Sequence, residues 1–446
     1  MSEKLDWRAG TGDAPPPPML EEISLDEASR FFLRGYEKLG PVYRLPFTAK
    51  PLTVLAGTAA NTFAARQGEH FFTTKEFWTQ FDNAMERPDL NDVRDGDANK
   101  AQRAAKTQSF SRKRITGQLP RLVEIAVEST QHWTAGESVV VLSNMQRIVA
   151  DQLGQLLARR SAGDYLPDLV HFLDTTVAAS LSLGGGDNAA LQTPEYLRAK
   201  ERIAELGKSI VEEHLRVPPS ERETDLVDDV LAMAGARREQ YSDAVLAHAA
   251  LAPLLAGLQT VSNTVSFLLY TVLKHPEARQ RVQAEIDAAF ATGPLVWEKL
   301  RTMRSLRGAM METLRMHPVA YGHIARVAEP LTVEGYRLEA GDDVFVAMTV
   351  PHFLPELYRE PDTFDIDRYE APRNEHKQLG AFAPFGLGSH ACLGAGIAEV
   401  QLMVIIAALL HTFELELDPP DHVLKVEHTP VPTAGSGLRV RVVARR

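Results

Sequence analysis

The sequence is short of cysteine: Cys392 is the only one among 446 residues. One thiol cannot close an intramolecular disulfide, so the fold needs no oxidising compartment and the thiol is left for packing or chemistry. Long apolar runs are also scarce. LAHAALAPLLAGL and LMVIIAALL fall short of the roughly 20 residues that cross a bilayer, and MSEKLDWRAGTGDAPPPP has no apolar core of a secretory leader. Both shortages predict a cytoplasmic protein with no membrane span. Positive charge is in deficit, with 48 Lys and Arg against 59 Asp and Glu and a formal net charge of −11. That disfavours nonspecific binding to nucleic acid. No phosphate cradle is visible, because LGGGDNAALQTP at 183–194 lacks the GxGxxG or GxxxxGK[ST] spacing and reads as an interhelical loop.

What the chain has is helix. Apolar residues recur at three-and-four spacing over 118–134, 144–160, 165–182, 195–215, 223–234, 242–275, 276–290 and 303–316. Alternating stretches are few: VYRL, LTVLAG, LTVEGYRLEAGDDVFVAM and LRVRVVA. The fold class is therefore mainly α with a small β-rich portion. Residues 1–19, with Pro15 to Pro18 in a row, read as an extended, weakly packed lead-in. The helix from Ser242 begins on an N-cap serine and stops before Pro276, and Pro253 and Gly257 predict a kink near its middle.

The lone thiol sits in FGLGSHACLGAG, ahead of a helix predicted from Gly394 to about His411. A thiolate there gains from the unpaired N–H groups and positive end of that helix. Gly386, Gly388 and Gly394 let the backbone approach a flat ligand, with Phe385 covering one side of the sulfur. A single thiolate suits an axial haem ligand better than zinc, which wants four ligands. The alternatives are an inert cysteine in a tight turn, or a hydrolase nucleophile paired with His390, which lacks a third orienting group.

Phe385 to Gly394 resembles the FxxGxxxCxG haem loop of the cytochrome P450 superfamily. METLRMHP, with Glu312 and Arg315, is similar to that family's ExxR helix, and Ala256-Gly257-Leu258-Gln259-Thr260 is similar to its oxygen-activation segment [AG]Gx[DE]T. The resemblance covers about residue 20 to the end. It implies a single catalytic domain over 20–446, with haem b between the long kinked helix and the helix after the cysteine loop. Cys392 would be the iron ligand, and Phe385, Gly388, His390 and Gly394 would shape the loop. Glu312, Arg315 and Arg368 would form a structural triad. Arg326, His390 and Arg103 would meet the haem propionates. In the family's HxxxR the first residue is usually His, but here it is Asn99.

The implied activity is a monooxygenase reaction of O2 on an apolar small molecule, with Thr260 relaying protons beside Ala256 and Gly257. The acid usually preceding that threonine is replaced by Gln259, which orients water but cannot ionise. No flavin, iron–sulfur or nicotinamide segment is visible, so electrons must come from a separate ferredoxin or flavodoxin with its reductase. Lys100, Arg103, Lys106, Arg112, Lys113 and Arg114, with no acid among them, form a local basic patch able to steer such a partner. Phe77, Trp78, Phe81, Leu255, Val319 and Ile324 predict an apolar pocket, with Tyr321 and His323 adding polar contacts. Gln259 keeps open a peroxide-dependent enzyme, a peroxygenase or isomerase. A noncatalytic haem sensor is the third reading.

Overall fold

The computed structural model describes residues 5–21, 28–46, 51–84, 95–107, 110, 112–181, 188–221, 223–235, 242–428 and 431–446. The chain opens with β1 (Trp7–Ala9), α1 (Ala28–Leu39), β2 (Val42–Leu45), β3 (Leu52–Ala56), α2 (Thr58–Phe71), β4 (Phe72–Thr73), α3 (Lys75–Ala84) and α4 (Gly96–Thr107). Then follow α5 (Arg112–Thr116), α6 (Leu119–Ser129), β5 (Ser138–Val140), α7 (Val141–Ala158), α8 (Leu166–Leu181), α9 (Pro194–Arg216), α10 (Leu226–Gly235) and α11 (Asp243–Lys274). The last part holds α12 (Pro276–Phe290), α13 (Trp297–Leu300), α14 (Arg304–Met316), β6 (His323–Val327), β7 (Leu331–Val333), β8 (Tyr336–Leu338), β9 (Asp343–Ala347), α15 (Ala395–Thr412), β10 (Phe413–Leu417) and β11 (Arg439–Arg445). Among the described residues the architecture is mainly helical with three sheets, and the helices predicted by periodicity lie within a few residues of those observed.

The residues divide into two compact units: 1–102 with 177–187 and 314–392, and 103–176 with 188–313 and 393–446. The first carries a five-stranded sheet of order β2-β3-β9-β6-β4 and a smaller one of order β1-β7-β8. Successive side chains alternate between the faces of a strand, and here both faces are apolar. Val42, Leu55, Val344 and Val346 join one core with Phe63, Phe71 and Phe72. Tyr43, Leu45, Val54 and Ala347 join another with Phe31 and Phe353. The lead-in is tied down more firmly than its prolines imply. β1 pairs antiparallel with β7, Leu5 is buried, and Trp7 packs edge-on against Phe71 with ring centroids 5.1 Å apart.

The second unit is a helical bundle around α11, with a sheet of order β10-β11-β5. Ser242 caps α11 by accepting a hydrogen bond from the Val245 N–H at 3.3 Å. The helix continues through Pro253 and Gly257 in one run. Gly257 has a packing reason: a Cβ there would stand 2.9 Å from Leu153 Cδ1 of α7. Likewise a Cβ on Gly207 of α9 would meet the Ala247 carbonyl oxygen at 2.8 Å. By length and composition α11 and α15 are apolar enough to cross a membrane, a test that buried core helices also pass. The most apolar window of α15 is 72% buried in the fold, the condition of a core helix.

Candidate active site around the single cysteine

In the first unit the segment Ala383 to Cys392 folds back on itself. The Gly386 N–H donates to Ala383 O at 3.2 Å, the Ala391 N–H to Gly388 O at 3.2 Å, and the Cys392 N–H to Phe385 O at 2.7 Å. The turn needs glycine twice, since Gly386 has φ 82° and Gly388 φ 62°. A Cβ on Gly388 would also stand 3.1 Å from Ala65 O of α2. Cys392 is exposed, which removes the reading of a thiol inertly packed in a core. The chain enters α15 three residues later, through its N-cap Gly394. An exposed thiol on a rigid turn, with bare glycine backbone beside it and a helix start just after it, fits a thiolate-ligated haem.

Two of the three cations expected at the propionates, His390 and Arg326, lie in this unit and already have acidic partners, whereas Arg103 falls in the second unit. His390 Nε2 is 3.0 Å from Asp95 Oδ1, and Arg326 donates through Nε and Nη2 to Asp343 Oδ1 at 2.9 and 2.8 Å. Asp95 also accepts from Thr73 Oγ1 at 2.6 Å, Thr74 Oγ1 at 3.0 Å and the Lys75 N–H at 2.9 Å. Burial pushes its carboxyl up, but the hydrogen bonds from His390, Thr73 and Thr74 outweigh that and hold it below the usual carboxylate range. Asp95 and Asp343 were not singled out in the sequence. Asn99 and Arg103 lie one turn apart on α4.

Glu312, Arg315 and Arg368 are all fully buried. Glu312 and Arg315, three apart, share a face of α14. Arg368 donates to Glu360 O at 2.8 Å, Thr363 O at 2.9 Å and Glu375 Oε2 at 2.9 Å, so it pins its own loop. Arg315 Nη1 donates to His352 O at 2.7 Å, with its guanidinium 5.1 Å from the Tyr358 ring centre. His352 is the residue the sequence reading missed. The Ala383 N–H donates to its Nε2 at 3.2 Å, which leaves the ring proton on Nδ1 for Arg315 O at 3.2 Å. This neutral form is enforced by burial and then by the Arg315 charge, which push its pKa down to about 3. His352 thus joins Arg315 to Ala383, two residues before Phe385.

In the second unit, Ala256 and Thr260 are exposed on α11 whereas Leu255, Leu258 and Gln259 are buried. Thr260 Oγ1 donates to Ala256 O at 3.0 Å, and this back-bonding tends to bend a helix. Gln259 does not share that face. Its Nε2 donates to Asp174 Oδ1 of α8, a carboxylate 85 residues away in the chain. Burial raises the Asp174 pKa, while the Gln259 hydrogen bond and the His171 charge pull it back in part.

Of the expected pocket residues, Phe77 and Trp78 are half-buried on α3 with ring centroids 5.3 Å apart, and Val319, Tyr321, His323 and Ile324 are half-buried in the same unit. The Phe81 side chain lies outside the described residues. Burial, aided by the His390 charge, pushes His323 down to about 4, and burial pushes the Tyr321 hydroxyl up. Leu255 is buried in the other unit. The basic patch is partly neutralised: Lys100 pairs with Glu69 and Arg114 with Asp229 at 2.9 Å. Lys113 is exposed, and the side chains of Lys106 and Arg112 lie outside the described residues.

A family model described as Cytochrome P450 matches residues 20–439. The chain is 23% identical to the putative cytochrome P450 120 of Synechocystis sp., over 97% of this chain and 96% of that one. It is 30% identical to the sterol 14alpha-demethylase of Mycolicibacterium vanbaalenii, a match that spans only about half of each chain, 52%. Among solved structures, the retinoic acid bound cyanobacterial CYP120A1 shares the fold with a TM-score of 0.81 at 20% identity, over 97% of this chain and 100% of that one. The cytochrome P450DA heme domain does so with a TM-score of 0.83 at 20% identity, over 97% and 98%.

Proposed function

The chain belongs to the cytochrome P450 family, whose cofactor is haem, and from that premise we propose a haem-thiolate monooxygenase that inserts one oxygen atom from O2 into an apolar small molecule. Its electrons come from a separate ferredoxin or flavodoxin with its reductase, and the protein works in the cytoplasm. The observation that carries the reading is the exposed Cys392 on its glycine turn, ahead of α15. Haem supplies the binding and reductive activation of O2. Cys392 is its thiolate ligand, and Phe385, Gly388 and Gly394 give the backbone its close approach. His390 and Arg326, oriented by Asp95 and Asp343, hold the propionates, together with Arg103 and Asn99. The Thr260 hydroxyl, on the exposed face of α11 with Ala256 and Gly257, passes protons. Phe77, Trp78, Val319 and Ile324 keep water out, while Tyr321 and a neutral His323 orient a polar group of the substrate.

One relative is a sterol demethylase and one similar structure holds retinoic acid, so sterols and retinoids head the substrate panel. The test is spectral and catalytic. Reduced protein with CO is expected to show the red-shifted Soret band of thiolate ligation, lost in Cys392→Ser, and product is expected to form with ferredoxin, reductase and NAD(P)H. A histidine-type spectrum in fresh protein refutes the reading. Gln259 favours a peroxide-dependent enzyme as the second reading, and full turnover on peroxide with none on NAD(P)H would select it.

A further inference from the structure

One carboxylate joins the start of α3 to the cysteine turn. Asp95 Oδ2 accepts from Thr73 Oγ1 at 2.6 Å, the Thr74 N–H at 3.0 Å and the Lys75 N–H at 2.9 Å. Its Oδ1 accepts from Thr74 Oγ1 at 3.0 Å and lies 3.0 Å from His390 Nε2. The first amides of a helix lack partners within it, so Asp95 holds α3 by its open end. That helix carries Phe77 and Trp78, the half-buried aromatic pair assigned to the substrate pocket, and the Trp78 N–H donates to Thr74 O at 3.2 Å. Thr73 lies opposite Arg326 in the β4–β6 pair, so the same carboxylate also holds the strand that faces the second propionate cation. All of these residues belong to the first unit.

Thr74 and His390 draw on the same oxygen, Oδ1, so a shift of α3 changes how firmly that oxygen holds the His390 ring. We propose that Asp95 is a positioning residue that couples the seating of α3 to the haem's affinity for an electron, acting through His390. The proposal rests on the haem-thiolate reading, with His390 at a propionate. An electron from the external donor adds negative charge to the haem, and a ring held close to a propionate offsets part of that charge. A ring drawn toward α3 offsets less of it. Whatever displaces Phe77 and Trp78 displaces the start of α3, so the occupied pocket and the incoming electron are linked through one carboxylate. By reciprocity each then shifts the other's equilibrium.

The test uses the holoenzyme and Thr74→Val, which takes the hydroxyl from Oδ1 with little change in volume and none in charge. Oδ1 then holds the His390 ring more firmly. The ratio of reduced to oxidised haem at a fixed applied potential is expected to fall about fivefold, the low end of coupling between two sites. Thr74→Ser, which keeps the hydroxyl, should behave as wild type. In Asp95→Ala and in His390→Ala backgrounds, Thr74→Val should leave the ratio unchanged, because the link is already cut. Amide hydrogen exchange reads the same link from the other end: His390→Ala should speed exchange at the Thr74 and Lys75 amides and leave α12 as it was. Equal ratio changes in every background, or none in any, overturn the proposal, as does α3 exchange indifferent to His390. Where Asp95→Ala fails to fold, the His390→Ala background and the exchange rates decide. If wild type shows no thiolate spectrum, the haem reading has failed and the redox role falls with it, whatever the exchange shows.

Discussion

Replacing His352 by glutamine is expected to remove a defined part of the protein's acid sensitivity. The imidazole is fully buried and its pKa falls from 6.5 to about 3. On unfolding it returns to its ordinary value, so between these two pH values the unfolded chain binds a proton that the folded chain does not. A depressed histidine pKa therefore costs stability as pH falls below 6.5, and the loss is complete near pH 3. At 1.36 kcal/mol per unit, the drop between pH 8 and pH 5 is about 2 kcal/mol. Glutamine accepts from the Ala383 N–H and donates to Arg315 O without titrating, so His352→Gln should lose about 2 kcal/mol less over that interval. His323, whose pKa is also pushed down, to about 4, acts in the same direction but is unchanged in the variant, so the difference isolates His352. His352→Ala strands the Ala383 N–H and opens a cavity beside the Phe382 ring, 5.3 Å from the imidazole, at a cost of about 3–5 kcal/mol at pH 8. Urea unfolding at both pH values, followed by circular dichroism, measures both effects. A His352→Gln protein that keeps the full wild-type drop refutes a buried neutral imidazole.

Gly257→Val should destabilise by about 1–3 kcal/mol through overpacking against Leu153, and Leu153→Ala should cost less in that background than alone, a coupling a double-mutant cycle reads directly. Lys113→Glu should slow reduction by an acidic ferredoxin more at low than at high salt, since exposed charges are screened over about 10 Å at 0.1 M. Arg114→Glu should instead lower the thermal midpoint, because Arg114 is held by Asp229; equal rate effects from both would refute that division. Asp95 has its carboxyl pKa lowered in the fold, so its stabilisation is present above its unfolded pKa and lost as pH falls through the folded one. Asp95→Asn should then flatten acid unfolding below about pH 4.

Much of this protein is local and so was written plainly in the chain. Helices such as α9, α11, α12 and α15 follow from apolar spacing and caps that act within a few residues. The glycine turn around Cys392 is likewise contiguous, which is why the thiol, its loop and the following helix could be read together. α2 escaped that reading because it buries Asn61, whose amide donates to Met348 O and Gly380 O at 2.9 Å each; a polar residue satisfied by distant carbonyls has no apolar signature. The partners of the site residues were hidden for the same reason. Asp95 beside His390, Asp343 beside Arg326, His352 between Arg315 and Ala383, and Asp174 beside Gln259 meet across long sequence separations. The sequence by itself determined the helical periodicity, the glycine turn and the place of its one thiol ahead of α15, because these are chain-local. Only the tertiary structure decided which charges are already compensated, because burial and hydrogen bonding between distant segments bring those partners together.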